Sequence, residues 1–531
     1  MDHPHLTKRQ LIGSIVGMQI TLLLAAIDQT IVSTAMPKII ADLNGFERYA
    51  WVTTAYMLTS TASLPIFGKL SDLYGRKVFL LGAVVLFIVS SALCGFSGMF
   101  GSAVPLAGTF FSDAINQLVI FRGIQGIGGG IIMGLAFAVI ADLFPPAERA
   151  KYQGLFSAVF ALASVIGPLV GGWLTDSLSW RWVFFVNIPI GIAALAILWF
   201  AFPDLHQRRP KVSIDYVGTA TLVAWVVPLL LALEWIPHTG FTNSVGWALS
   251  ATAIFFSLFI IVESRVEEPI VPVHLFRNPT IALSAVIVVL LGMVMFSSIL
   301  FLPLFMQVVQ GMSATVSGSM LMPMSLGMTS FSAIGGQVVS RLGKYKAAAI
   351  VGTIICTIGM ALLCTMQINT NVWLIVSYSF LIGAGLGITM PIYTLAVQNQ
   401  VERFMIGAAT ASLQFCRSVG GLLGAAVFTA VLMAGYSEQI QQYANVNATD
   451  PQSLALAANP LKLAGQQLNL DPALMQEIKS SIVESLKDIF EVALLMSGCA
   501  IFLNTMLKDL RLQGRKQPVS PAPADPELII P

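Results

Sequence analysis

Gly68-Lys69-Leu70-Ser71-Asp72-Leu73-Tyr74-Gly75-Arg76-Lys77 is answered 268 residues later by Gly336-Gln337-Val338-Val339-Ser340-Arg341-Leu342-Gly343-Lys344-Tyr345. Both are glycine-bounded basic segments that follow a long apolar run. Two runs further on, Gly126-Ile127-Gly128-Gly129-Gly130-Ile131-Ile132-Met133 is matched by Gly383-Ala384-Gly385-Leu386-Gly387-Ile388-Thr389-Met390, at an offset of 257. The 11-residue difference is absorbed by an extra loop, about Gly98–Ala114, whose counterpart near Gln367–Asn371 is a tight turn. A third pair follows in order: Gly167-Pro168-Leu169-Val170-Gly171 and Gly420-Gly421-Leu422-Leu423-Gly424. Three ordered matches read as a duplicated six-helix unit. Parallel six-helix halves facing each other across a midplane cavity are a transporter design.

Composition fixes the solvent. Of the 531 residues, 56% are hydrophobic and 10% charged, against roughly a quarter charged in an average soluble domain. Mean hydropathy is +0.82. So dilute a charge cannot cover a water-exposed surface of this size, and lipid is the implied partner. A net charge of +2 gives no footing for nucleic acid. The cysteines Cys94, Cys356, Cys364, Cys416 and Cys499 lie in apolar stretches without ligand or framework spacing, and His3 and His5 have no partner cluster. No metal and no cofactor is expected.

Apolar runs long enough to span a bilayer, roughly 20 residues each, centre near Leu24, Thr61, Leu86, Ile131, Val165, Ala193, Leu222, Phe255, Leu291, Met324, Ile354, Leu381, Leu422 and Glu491–Leu507. The first, Leu11–Pro37, outruns a signal-peptide core and reads as an uncleaved span. The expected fold is an all-α polytopic membrane protein of about fourteen helices: two six-helix bundles with two extra helices between them. Residues 1–10 form the N-terminus, 11–203 the first bundle, 204–279 the extra pair, 280–509 the second bundle, and 510–531 a disordered proline-bearing tail. Of the 28 Lys and Arg, twenty fall on one side, six on the other, and two, Arg122 and Arg417, within spans. The positive-inside rule then places both termini in the cytoplasm.

A charge inside a span costs at least ~2.5–3.5 kcal/mol and marks function by default. Asp28 lies nine residues before Pro37, and Arg122 about eight residues into the fourth helix, so the two sit at similar depth. A carboxylate beside a guanidinium stays ionised and, parted from it, gains a proton more readily, which is what a proton carrier needs. Arg417, in the thirteenth run, can attract an anionic group or tune a carboxylate; Glu234 reads as snorkelling to water. Gly126, Gly130 and Gly134 recur every fourth residue, a flat face for close helix approach. Tyr56, Gln125, Met133, Met295, Phe296, Tyr393 and Gln414 supply the adaptable aromatic, thioether and amide groups that suit bulky amphipathic ligands. The outer stretch 436–486 is polar, and Met475, Ile478, Ile482 and Leu486 are spaced as in an amphipathic surface helix. Asn447-Ala448-Thr449 fits a glycosylation acceptor pattern.

Four of these segments resemble the major facilitator superfamily, in particular its fourteen-helix drug:proton antiporter branch. Ile27-Asp28-Gln29-Thr30-Ile31-Val32-Ser33-Thr34-Ala35-Met36-Pro37 is similar to the helix 1 signature, departing at Ser33 where Asn is usual. Gly68–Lys77 is similar to the loop signature between helices 2 and 3, with Leu73 where a basic residue is common. Arg122-Gly123-Ile124-Gln125-Gly126-Ile127-Gly128 resembles the helix 4 motif of proton-coupled members. Gly154 with Gly167-Pro168-Leu169-Val170-Gly171-Gly172 resembles the helix 5 antiporter motif, with Ala163 where Gly is expected. The resemblance implies proton-coupled export of small amphipathic compounds such as drugs, dyes or toxic metabolites from the cytoplasmic membrane, by a functional monomer. Asp28, Arg122 and Arg417 would serve coupling. Gly68, Asp72, Gly75, Arg76 and Lys77 would form a conformational latch, and Gly154, Gly167, Pro168, Gly171 and Gly172 a bendable, closely packed helix. An exporter dedicated to one metabolite, siderophore or lipid, or a transporter-like sensor, remains the alternative. A phosphate-binding GxxxxGK[ST] loop is absent, as are HExxH and GxSxG, so none of these motifs points to an ATP-driven pump or a hydrolase.

Overall fold

The computed structural model describes residues 7–49, 51–99, 113–143, 146–203, 215–266, 269, 273–342, 345–401, 406–447 and 472–507. Fourteen long helices follow one another: α1 (Lys8–Asp42), α2 (Trp51–Tyr74), α3 (Arg76–Gly95), α4 (Ala114–Leu143), α5 (Pro146–Ser177), α6 (Asn187–Ala201), α7 (Tyr216–Thr239), α8 (Asn243–Glu263), α9 (Pro279–Leu304), α10 (Ala314–Leu342), α11 (Lys346–Leu363), α12 (Val372–Gln398), α13 (Ile406–Asn447) and α14 (Pro472–Met506). A four-residue turn, Trp182–Phe185, precedes α6, and a π-helical turn, Phe305–Val309, continues α9. Side chains fix several starts. Thr7 closes a capping box with Gln10 on α1, and Asn278, followed by Pro279, caps α9. We call the side on which α1 begins and α14 ends the near side, and the opposite one the far side.

The duplication is written into the packing. In the first half α1 packs on α4, α5 and α6, α4 on α2 and α3, and α3 on α6. Raising each number by eight gives the contacts of the second half: α9 on α12, α13 and α14, α12 on α10 and α11, and α11 on α14. The seams use the same device. A Cβ on Gly126 or Gly130 would lie 2.3 Å from the Tyr56 carbonyl or 2.2 Å from that of Ser60. On Gly383 or Gly387 it would lie 2.0 Å from the Met324 carbonyl or 2.3 Å from that of Met328. The contacted carbonyls are 268 residues apart and the glycines 257, the two offsets of the sequence repeat. Backbone cannot retreat as a side-chain tip can. Gly130→Val is therefore expected to cost at least the ~1–3 kcal/mol of an overpacked core and to lower the melting temperature and membrane yield sharply. Gly82→Val, where a Cβ meets nothing within 4 Å, is the control and leaves both unchanged.

The halves meet through α5 against α10 and α2 against α13, pairs exchanged by the same shift of eight. Among the described residues, eleven helices are long and apolar enough to cross a membrane. The pair α7–α8 packs mainly on itself, with α7 seated against α2 and α13. Its outer helix α8 shows Trp247, Ile254, Phe256 and Ile261 to the surroundings, as a lipid-facing helix must.

One expectation is corrected. The stretch 436–486 is not a single polar loop bearing a surface helix. α13 runs on to Asn447, and Met475–Leu486 is the far end of α14, unbroken to Met506. The helical spacing is real. But Ile478, Ile482 and Leu486 continue in register into Ile489 and Ala493, and all are buried in the cluster that holds Tyr436 and Ile440 of α13. The apolar face meets protein instead of a membrane surface. Residues 448–471, with two of the three glycosylation-pattern positions, and the tail beyond Leu507 lie outside the described residues.

Candidate functional site

Asp28 of α1 is fully buried, and Arg122 of α4 is 2% exposed. The Arg122 Nη1 donates to Asp28 Oδ2 at 2.5 Å. The other carboxylate oxygen, Oδ1, accepts from Gln125 Nε2 at 2.9 Å and from Asn187 Nδ2 at 2.8 Å. Gln125 stands one turn beyond Arg122 on α4, and its Oε1 accepts from the same Nη1 at 2.7 Å. Asn187 opens α6, donates also to Ser91 Oγ at 3.0 Å, and is thereby tied to α3. Ser91 in turn donates to the Phe184 carbonyl. The guanidinium lies over the Tyr56 ring at 4.3 Å, and its Nε donates to the Val52 carbonyl. Five helices of one half thus converge on a single carboxylate.

The electrostatics follow from burial. Two charges taken out of water keep their ionisation only if each replaces its lost hydration with close donors or acceptors. Here the carboxylate takes three donors and the guanidinium a counter-ion, an amide, a carbonyl and an aromatic face. Breaking the pair would strand a charge in a low-dielectric interior.

The structure brings some of the sequence's candidates together and separates others. Tyr56 and Gln125, expected against substrate, both touch the ion pair: Gln125 donates to Asp28, and the Tyr56 ring lies against the Arg122 guanidinium. Tyr393 is buried in the second half, where its hydroxyl donates to Asn504 Oδ1 at 2.9 Å and Asn504 Nδ2 to Thr353 Oγ1 at 3.0 Å. That knot ties α11, α12 and α14 and is remote from the other candidates in its contacts. Met133 is half-buried on α4, as are Met295 and Phe296 on α9, and Gln414 of α13 is exposed. A Cβ on Gly421 would meet the Phe296 ring at 2.6 Å and Met57 Cε at 2.9 Å, so α9, α13 and α2 converge there across the boundary between halves. Asn187, Ser91 and Met57 were missed by sequence reasoning. Asn187 had a signal: it is a lone amide within the apolar run Trp182–Ala201.

On the far side the halves are closed on each other by the glycines of α5. Gly167 and Gly171 face Thr30 and the Ile31 carbonyl of α1, within the first half. Ala163, in place of the expected Gly, offers its carbonyl to Thr30 Oγ1 at 3.1 Å. Gly172 faces the other way: a Cβ there would lie 2.3 Å from Thr315 Cα and 2.6 Å from the Ala314 carbonyl of α10. Gly318 of α10 returns the contact: a Cβ there would lie 2.2 Å from the Pro168 carbonyl. Asp176, at the tip of α5, accepts from Lys38 Nζ at 2.8 Å and from the Ala314 and Thr315 amides at 3.2 and 2.7 Å, so it caps a helix of the opposite half. Gln307, in the π-helical turn, donates to the Thr34 carbonyl at 3.0 Å.

At the near side, Gly75 takes φ +101°, a conformation that favours glycine, and ends α2 so that α3 can start at once. Arg76 is buried and donates to Ser71 Oγ at 2.7 Å, and Lys77 is half-buried. Gly68 and Asp72 lie within α2 and Gly154 within α5; the surroundings of these three are outside the described residues.

A duplicated bundle of fourteen helices, with a buried ion pair at mid-span and glycine seams between halves, defines a secondary transporter fold, not an enzyme. The Major Facilitator Superfamily matches residues 19–425, and the chain belongs to that family. It is 37% identical to the multidrug transporter protein MdtP of Bacillus subtilis, over 96% of this chain and 95% of that one. It is 36% identical to multidrug resistance protein 3 of the same organism, over 91% and 92%. Among solved structures, a bacterial homolog of the human lysosomal transporter Spinster, in an inward-facing and unoccupied conformation, shares the fold. Its TM-score is 0.66 at 17% identity, covering 94% of this chain and 98% of that one.

Proposed function

We propose that this chain exports small amphipathic compounds across the cytoplasmic membrane in exchange for protons, with both termini in the cytoplasm and the far side outermost. The observation that carries the reading is the Asp28 carboxylate, fully buried and bound by Arg122, Gln125 and Asn187 from two other helices. An ionised pair at that depth is costly to keep for packing alone. In one state the pair is closed and Asp28 carries no proton. In the other the donors withdraw, and the carboxylate binds a proton from outside. The glycine seam of α5 with α10 is the outer seal, the near-side segment around Asp72 and Arg76 is the latch, and the multidrug relatives support a substrate range that is amphipathic and broad.

The test is proton counterflow. Purified protein is reconstituted in vesicles with a trapped pH dye, and an amphipathic dye such as a naphthalenesulfonate is added on one side with no imposed pH gradient. Downhill movement of a substrate is expected to drive protons the opposite way, with one or more counted per substrate moved. Dye movement without any proton movement would exclude antiport and leave facilitated diffusion.

A further inference from the structure

Arg122 and Arg417 are both intramembrane arginines, and the structure treats them oppositely. Arg122 is paired with Asp28 and also held by Gln125, the Val52 carbonyl and the Tyr56 ring. Arg417, on α13, has no hydrogen bond or ion pair among the described residues, and no ionisable neighbour acts on it. It lies eleven residues in from the start of α13 at Ile406, or about 16 Å. Its backbone is pinned, because a Cβ on Gly292 of α9 would touch the Arg417 carbonyl at 2.8 Å. The helix cannot simply turn the charge elsewhere.

The direction of that side chain follows from the helix. At 100° per residue, Gln414, Arg417 and Gly421 share one face of α13. Gly420 and Gly424 turn toward Val289 and Met293 of α9, and Phe415, Val419 and Leu422 toward α2 and α7. The face between them is therefore the one that looks between the halves. Gly421 confirms it by meeting Phe296 and Met57 together. Gln414 is exposed and Arg417 half-buried on the near side of that contact. Asp28 cannot serve as the missing counter-ion, since it is fully engaged by Arg122, Gln125 and Asn187.

We propose that the space between the halves holds the anionic group of its substrate on Arg417, beneath the Phe296–Met57 contact, so that the exported compounds are amphipathic acids: carboxylates, sulfonates or phenolates on an apolar body. This rests on the transport reading above. A guanidinium offers such groups a paired, planar set of donors. The neighbouring Met and Phe side chains take an apolar ring, and Gln414 adds a neutral hydrogen-bonding group. The role of tuning a protein carboxylate has no carboxylate to act on among the described residues. Exchange of a monoanion for one proton also moves two charges inward per cycle, so export gains from the membrane potential as well as from the pH gradient.

The experiment compares 8-anilinonaphthalene-1-sulfonate with N-phenyl-1-naphthylamine, the same ring body without the sulfonate, on full-length protein in phosphatidylcholine vesicles. Arg417→Gln is expected to weaken sulfonate binding by at least about tenfold, the weight of one hydrogen-bonded charge, and to leave the neutral amine within about twofold. Arg417→Lys restores part of the loss. Equal loss for both probes would show a packing role, and no loss for either an idle charge; each overturns the proposal. So does sulfonate binding that appears only when phosphatidylglycerol is added, which assigns Arg417 to a lipid headgroup. Asp28→Asn separates the two readings: proton-driven efflux is lost while sulfonate binding and its dependence on Arg417 persist. If Asp28→Asn still pumps, the coupling reading fails and the Arg417 assignment stands on its binding data.

Discussion

Asp28→Asn is expected to abolish concentrative efflux while leaving downhill movement of the same dye measurable. One charge crossing ~150 mV supplies roughly 3.5 kcal/mol, enough to hold a gradient of a few hundredfold in a neutral substrate. Without a titrating carboxylate that gradient should collapse to equality. Asn has the right shape and the wrong polarity. Asp28 accepts on both oxygens, from Arg122 on one and from Gln125 and Asn187 on the other. Whichever way an amide is turned, its NH2 faces a donor. Leaving a guanidinium buried without its partner costs about 3–5 kcal/mol, so the single variant should also melt earlier. The double variant Asp28→Asn with Arg122→Gln removes both charges. It should recover stability and remain uncoupled, which separates loss of coupling from loss of fold. The readouts are dye accumulation in energised vesicles and thermal melting. Proton-driven accumulation by Asp28→Asn at the level of the unaltered protein would remove Asp28 from the mechanism and move the search to Glu234 or another carboxylate.

The second large effect is expected at Gly172. A side chain there meets Thr315 Cα and the Ala314 carbonyl of the opposite half, and neither can step aside without moving α10. Gly172→Val should therefore leave each half folded and push the halves apart on the far side. Overpacking of ~1–3 kcal/mol shifts a two-state equilibrium by roughly 5- to 150-fold. Transport should fall by a comparable factor, because one half of the cycle is disfavoured. Ser317 of α10 is fully buried near this seam, within reach of Gln307. A cysteine at that position should be labelled by an impermeant reagent from the far side at least about tenfold faster in the Gly172→Val background. Gly171→Val, which presses on the Ile31 carbonyl inside the first half, should instead lower stability. Unchanged labelling and unchanged transport in Gly172→Val would show that α5 packs on α10 without gating.

Much of the architecture was legible before any coordinates. The number of spans follows from runs of apolar residues, since in lipid a backbone must satisfy its hydrogen bonds within its own helix. The duplication was legible because its seams are built of glycine against backbone, and such contacts admit no other residue. The offsets of 268 and 257 in the chain are the offsets of the contacting carbonyls and glycines in space. The depth of Asp28 and Arg122 was countable at a fixed rise per residue, and the two meet.

What the sequence could not decide is which polar groups face which. Tyr56 and Gln125 look like ligand contacts on their helices, and only the packing of α2 and α4 around α1 turns Gln125 onto the carboxylate and Tyr56 onto its arginine partner. Asn187 joins them because the turn at Trp182–Phe185 brings the start of α6 beneath α1 and α3. Met475–Leu486 carries the periodicity of a surface helix, and a one-dimensional pattern cannot say whether its apolar face meets lipid or protein. Arg122 and Arg417 read alike along the chain: each is a single charge in an apolar run. Local sequence sets helix, depth and face, because these depend on a few neighbouring residues. Partners across helices depend on how fourteen rods pack, and that packing gives Arg122 a buried counter-ion and leaves Arg417 without one among the described residues.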